Sequence, residues 1–487
     1  MGVMVFANFL VYGKAFDKRN WEIRYSSFDG VEARAVEFLY GELGNRILRD
    51  PGSYVLHTLK CEKISEKLPE SNAFIIGEWG KNPLLQRFID KDEIPANGFR
   101  IRIVNNPESA DHQLVLIAGD DPAAVLYGVV TCVDDILPAM APDIGSSIRF
   151  WDNIFERSLK PCDYADAPQT LVRSVFTWGH PIGNFREYFK NMARLKINRV
   201  YLWNDYPPLN AQEIVDFAHS WGIEIFWGYA WGWSTDCAAS DLADLNKLSD
   251  EIYAKYRDVW SKLPGDGIYF QSFTELRSDK INGKSVAENV IQLVNMTARR
   301  ILQDKPDLKI VFGLHATSVK KDLPAIAQTD PRLEILWEDC GGFPYYNLLS
   351  EDTAKDDEFV QSLIDMKRDM GLVFKAQLMQ QWVGGFVHQK GSYIMGCNGE
   401  KMHQHDVDIT TPFWREYSAL WHRNAPRAYQ VAKDIHAVSK HIELNLAAQL
   451  NGPVNFPTAF VAEIFWSTNK SCADIIDIIL RRSYVRK

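Results

Sequence analysis

From about residue 170 onward, short apolar runs alternate with longer stretches whose apolar positions recur every three or four residues. The short runs are Leu171–Trp178, Arg199–Asn204, Glu224–Trp231, Gly267–Phe273, Lys309–His315, Leu333–Glu338, Val373–Gln380 and Ala459–Trp466. Their length and their β-branched and aromatic content predict buried strands. The stretches between them, Phe185–Leu195, Ala211–Trp221, Leu242–Leu263, Val286–Gln303, Lys320–Gln328 and Asp357–Met370, have helical spacing. Eight strands with regular helical crossovers predict an α/β fold, a (β/α)8 TIM barrel over 151–487, with Leu171–Trp178 paired to Ala459–Trp466. The segment 381–458 is expected to be a long insertion between strands seven and eight, carrying one helix from about Phe413 to Leu446.

Residues 1–150 follow a different pattern and predict a small N-terminal α/β domain. Val31–Leu48 places Ala33, Val36, Leu39, Leu43 and Ile47 near one helical face. Strand patterns follow at Tyr54–Leu59, Ala73–Trp79, Phe99–Val104 and from Leu114 to Ala118. The last leads through a turn into a helix with Asp121 as N-cap and Pro122 in its first position. No glycine-rich phosphate loop accompanies this strand-turn-helix, which argues against nucleotide binding. The apolar run Val3 to Tyr12 is too short to span a membrane, lacks the flanks of a signal peptide, and reads as a core or docking strand.

Composition narrows the classes. A formal net charge of -9 argues against a nucleic-acid partner. The seven cysteines are scattered without C-x-x-C spacing, so neither a disulfide framework nor a zinc site is expected, and a reducing, cytoplasmic setting is. His403-Gln404-His405-Asp406 lacks a third well-spaced ligand. No metal, cofactor or membrane partner is expected, and the sequence is compatible with a homo-oligomer.

The candidate chemistry lies where the predicted strands end. Those ends carry Trp178 and His180, Trp203-Asn204-Asp205, Trp231, Gln271 followed by Glu275, His315, Trp337-Glu338-Asp339, and Gln381-Trp382. Flat indole faces stack on the apolar faces of a pyranose, while amides, imidazoles and carboxylates bind hydroxyls. A carboxylate just past a buried strand is where a barrel enzyme holds an acid. Glycoside hydrolysis needs one such acid to protonate the leaving oxygen and a second carboxylate opposite it. Glu275 is the candidate acid, and Asp339 or Glu338 the candidate base. The expected substrate-binding set is Trp178, His180, Trp203, Asn204, Asp205, Trp231, Gln271, His315, Trp337, Gln381 and Trp382.

These segments resemble the α-glucuronidases of glycoside hydrolase family 67. Gly267-Ile268-Tyr269-Phe270-Gln271-Ser272-Phe273-Thr274-Glu275 is similar to the family's acid-bearing strand, and Ile197 through Asn204 to its second strand. Gln380-Gln381-Trp382-Val383-Gly384 stands where the family has Gln-Glu-Tyr-Leu-Gly, and Ala462 through Arg482 resembles its eighth strand and following helix. Gly119 through Gly128 also resembles the small domain preceding the barrel of family 20 hexosaminidases. The resemblance implies an exo-acting, inverting glycosidase on an oligosaccharide or glycoside. Gln271 and Leu314-His315 stand where that family places basic residues for the glucuronate carboxylate, which implies altered sugar specificity. Gln381 replaces one of its candidate base carboxylates, so a non-catalytic carbohydrate-binding barrel is the alternative.

Overall fold

The computed structural model describes residues 21–47, 59–140, 158–177, 182–204, 206–231, 242–272, 280–281, 283–315, 323–338, 365, 368, 370–375, 391–396, 400–447 and 454–486. By contacts the chain divides between Pro168 and Gln169, apart from the short segments Ser220–Gly222 and Arg481–Ser483, which group with the first unit.

The first unit holds a six-stranded sheet in the order Leu59–Lys63, Trp21–Tyr25, Asn72–Glu78, Gln113–Gly119, Phe99–Asn105, Cys162–Asp166. Phe99–Asn105 runs antiparallel to both neighbours, and the other pairs are parallel. Cys162–Asp166, a strand the sequence reading did not anticipate, lies beyond the expected boundary at 150. Tyr54 to His57 of an expected strand lie outside the described residues, as does the run Val3–Tyr12, and the observed strand begins at Leu59. The helix Pro122–Thr131 starts as its sequence predicts, with the Asp121 carboxylate accepting the Ala124 N–H at 2.7 Å and Pro122 in the first turn. The run Pro122–Met140 is long and apolar enough to cross a membrane, yet most of it is buried inside the protein.

The second unit closes a barrel of eight parallel strands: Arg173–Phe176, Arg199–Trp203, Glu224–Ala230, Gly267–Gln271, Lys309–His315, Glu334–Glu338, Met370–Lys375 and Glu443–Ala447. These are barrel strands one to eight below. Seven overlap the expected strands, and the eighth does not. Ala459–Trp466 is helical, within Phe456–Trp466, and all eleven residues of that helix are buried. Closure is made instead by Glu443–Ala447, whose Leu444 to Ala447 pair with Arg173 to Phe176. That strand lies inside both the expected insertion and its expected helix; the observed helix, Glu400–Val438, stops before it.

The barrel interior is a packed aromatic and aliphatic layer of Phe176, Tyr201, Phe226, Tyr269, Val311, Leu336 and Val373. Below it, at the N-terminal ends of the strands, the inward positions are ionic. Arg199 donates to Glu224 (2.8 Å), Glu334 (2.9 Å) and Glu443 (3.2 Å), and Lys309 donates to Glu224 at 2.6 Å. Tyr201 Oη and Ser174 Oγ also donate to Glu443, and Asn445 donates to Ser174. Burial pushes the Glu443 carboxyl up, and the Arg199 charge pulls it back. Burial opposes the Arg199 charge, yet Tyr201 and the three carboxylates carry its pKa above the ordinary value. Every charge of this floor has a partner, as buried ions require.

Candidate active site at the barrel mouth

At the opposite, C-terminal end, strand alternation decides which residues face inward. Tyr201 belongs to the interior layer, so Trp203, two residues on, stands above it. Its half-buried ring meets Phe176 and Tyr269 edge to face, with centroids 6.2 and 5.9 Å apart. Gly228 on strand three makes room for that ring, since a Cβ there would come within 2.9 Å of it. On strand four the amide of Gln271 donates to Tyr269 Oη at 2.9 Å. The Tyr269 hydroxyl in turn occupies the space that a side chain on Gly313 would need, 1.9 Å from the ideal Cβ. Two glycines thus let an indole, a phenol and an amide stack in the narrow mouth.

Asn204 follows strand two, its N–H donating to Gly228 O at 3.1 Å. Tyr393, from the connection after strand seven, forms a parallel bridge with Pro208 in the loop after strand two, and burial raises its phenol to about 12. Tyr269 and Tyr393 did not stand out in the sequence. Tyr393 sits in a loop with no periodic pattern, so only the pairing of its segment with the strand-two loop discloses it.

His315 and Glu338 are the last residues of strands five and six, and their backbones pair with each other. Glu338 also pairs with Val373. Trp203, Asn204, Gln271, His315 and Glu338 are therefore brought to one end of the barrel, as their sequence positions predict.

Two expected sugar-binding indoles are placed elsewhere. Trp231 has the parity of the outward Tyr229 and is 0% exposed, stacked on Phe270 at 3.7 Å between centroids. Trp337 alternates with the inward Leu336 and is 2% exposed. Both belong to the packing between strands and outer helices, where no face is open to a sugar. Trp178, His180, Asp205, Glu275, Asp339, Gln381 and Trp382 lie outside the described residues. Among the described residues no group of three or more His, Cys, Asp or Glu could hold a metal ion.

No protein-family model matches the chain, and no curated protein matches it. Among solved structures it is similar to one titled "Structure of CpGH84B", with 12% identity and a TM-score of 0.50, covering 94% of this chain and 70% of that one. A second, "Structure of CpGH84D", shares 14% identity with a TM-score of 0.42, covering 73% of this chain and 57% of that one. The chain thus spans little more than half the length of the CpGH84D structure. The likeness to CpGH84B is one of fold, a barrel of the kind glycoside hydrolases use, and it does not single out family 67.

Proposed function

We propose that the chain is a glycoside hydrolase working by paired-carboxylate acid–base catalysis at the C-terminal mouth of the barrel. The observation that carries this reading is the composition of that mouth. An indole, a phenol and an amide, those of Trp203, Tyr269 and Gln271, meet where barrel enzymes place their chemistry, and strand six ends there on a carboxylate residue, Glu338. The fold shared with CpGH84B, whose name belongs to glycoside hydrolase family 84, supports the same class.

Glu275 lies four residues beyond Gln271, the last residue of strand four, and is assigned as the general acid. Glu338 or Asp339 is assigned as the opposite carboxylate. In an inverting enzyme these groups stand roughly 6.5–9.5 Å apart, with a water between base and sugar. A neutral sugar is the favoured substrate, since Gln271 offers an amide and no charge to a uronate.

The test is turnover of a panel of aryl glycosides by the wild-type chain and by Glu275→Gln. Loss of general acid assistance is worth about 10²–10⁴-fold on a poor leaving group and much less on an aglycone that departs without a proton. A variant within a few-fold of wild type on the poor leaving group would remove Glu275 from the role. Wild-type protein that binds sugars but cleaves none would instead be a carbohydrate-binding barrel, the reading favoured by Gln381.

A further inference from the structure

The barrel closes along a seam between strand eight and strand one, and at its N-terminal end that seam carries the Glu443 carboxyl. Oε1 of Glu443 accepts the Ser174 hydroxyl of strand one, and Ser174 Oγ accepts the Asn445 amide N–H at 2.8 Å. Oε2 accepts the Tyr201 hydroxyl at 2.8 Å and the Arg199 guanidinium at 3.2 Å, both from strand two. On the other flank strand seven pairs Gly371 with Glu443, and a Cβ on that glycine would lie 2.9 Å from the Glu443 Cβ. That neighbour therefore brings no charge to the carboxyl.

Among the described residues the floor sets two cations against three carboxyls. Arg199 and Lys309, from strands two and five, face Glu224, Glu334 and Glu443, from strands three, six and eight. Further charged groups at this end are engaged elsewhere. Arg173 donates to the carbonyls of Thr170, Leu171 and Lys196, and Arg368 to those of Thr329, Asp330 and Leu333. Asp266, just before strand four, is 2.9 Å from His219. Ionised throughout, the floor would hold one negative charge in excess, and a charge without its match is the costly case in a protein interior. The cost is greatest where water is least available. The Glu443 side chain is 7% exposed, against 27% for Glu334 and 35% for Glu224. It also stands farthest from the shared guanidinium, and two of its three hydrogen bonds come from neutral hydroxyls.

We propose that Glu443 holds a proton in the folded protein at neutral pH, so that sealing strand eight against strand one takes up one proton from solvent. The seam is then a pH-sensitive lock on the barrel. With the proton on Oε1, Glu443 donates to Ser174 Oγ, whose two lone pairs serve both it and the Asn445 amide, while Oε2 keeps its two donors. Loss of the proton at alkaline pH returns the excess negative charge to the seam. Burial acts in the same direction, raising the carboxyl, with Arg199 opposing and Glu334 assisting. Burial also lifts the Tyr201 phenol well above its ordinary range, so that group stays a neutral donor. The device is independent of what the mouth binds or cleaves.

Two measurements on the full chain test it. Infrared difference spectra at about pH 7 report un-ionised carboxyl groups directly, through their C=O stretch. Wild type is expected to show one such band that Glu443→Gln lacks, and no difference in that region overturns the proposal. The band is expected to fade as pH rises, and to fade at lower pH in Glu334→Gln, where two cations face two carboxyls. A midpoint that ignores Glu334 overturns the proposal too, and this arm stands even if Glu443→Gln does not fold. Urea unfolding at a series of pH values is the second measurement. Because the folded-state pKa lies above the unfolded one, the proton's contribution is complete below about 4.5 and is lost as pH rises through the folded pKa. Glu443→Gln cannot ionise, so its folding constant is expected to gain on that of wild type by up to about ten-fold per pH unit in that window. A flat ratio, the mark of a merely structural hydrogen bond, overturns the proposal. So does a ratio that moves toward wild type as pH rises, the mark of an ionised Glu443.

Discussion

The two ends of the barrel solve opposite problems with the same inward positions. At the N-terminal end Arg199, Lys309 and the carboxylates of Glu224, Glu334 and Glu443 are paired among themselves. At the C-terminal end the inward positions carry no such cluster among the described residues: Trp203 is half-buried, and the Gln271 amide donates to the Tyr269 hydroxyl. Charge paired inside the cluster serves cohesion. Buried polar groups alone therefore do not mark the site.

The largest expected effect breaks the floor. Arg199→Met leaves three carboxylates short of their shared cation, and removing one member of a buried ionic cluster costs about 3–5 kcal/mol. Urea denaturation of the variant is expected to show that loss, and a second replacement, Glu443→Met, is expected to recover part of it. If Arg199→Met is as stable as wild type, the floor contributes no cohesion and the contrast between the two ends collapses.

A buried carboxyl in no ion pair, the nearby Lys81 being bound to Glu78, sharpens the point. Glu32, in the first turn of the helix Gly30–Ile47, is buried; its Oε1 accepts the Ser27 N–H at 3.2 Å while its Oε2 has no partner among the described residues. Burial raises its pKa from 4.5 to about 7, against the pull of that backbone hydrogen bond. A folded-state pKa above the unfolded one means that the folded state keeps the proton longer. Its contribution is complete below about 4.5 and is lost as pH rises through about 7, at no more than about 1.4 kcal/mol per pH unit. Glu32→Gln cannot ionise, so its stability is expected to gain on wild type across that window, by at most about 3 kcal/mol. Parallel stability curves from pH 4 to 8 would contradict the assignment.

The smallest effect on the fold concerns the mouth. Gly313→Ala places a Cβ against the Tyr269 hydroxyl, 1.9 Å away before relaxation, and overpacking of this kind costs about 1–3 kcal/mol. Because Tyr269 holds the Gln271 amide, sugar affinity is expected to fall while the ionic floor, at the other end, is untouched. Unchanged affinity in calorimetry would show that Gln271 does not face the ligand.

Much of the barrel was legible because seven of its strands are short apolar runs bounded by turn residues. The eighth was not. Glu443-Leu444-Asn445-Leu446-Ala447 alternates polar and apolar residues, with its polar ones turned to the ionic floor, and it follows a long helix closely enough to read as its continuation. Ala459–Trp466 is apolar throughout, and such a run fits a buried helix as well as a buried strand. The deciding signal was local: Asn455 caps Thr458 N–H at 3.0 Å with Pro457 in the first turn, a helix start. The places of Trp203, Asn204 and Gln271 at the C-terminal ends of strands two and four were readable in the sequence. Trp231 and Trp337 were misassigned because an aromatic at a strand end says nothing of which way it faces; one residue of parity separates mouth from wall. Tyr393 was invisible because its partner segment lies 185 residues earlier in the chain.

The position of Glu443 in the chain sets a schedule for biosynthesis. Arg199 leaves the ribosome 244 residues before this last carboxylate partner, an interval of roughly 10–50 s at about 5–20 residues per second. Through that interval the nascent barrel lacks the strand that seals it, and strand one, joined later by strand seven, exposes an unpaired backbone edge to solvent or to a chaperone. Arrival of a single five-residue segment, Glu443–Ala447, ends both conditions together.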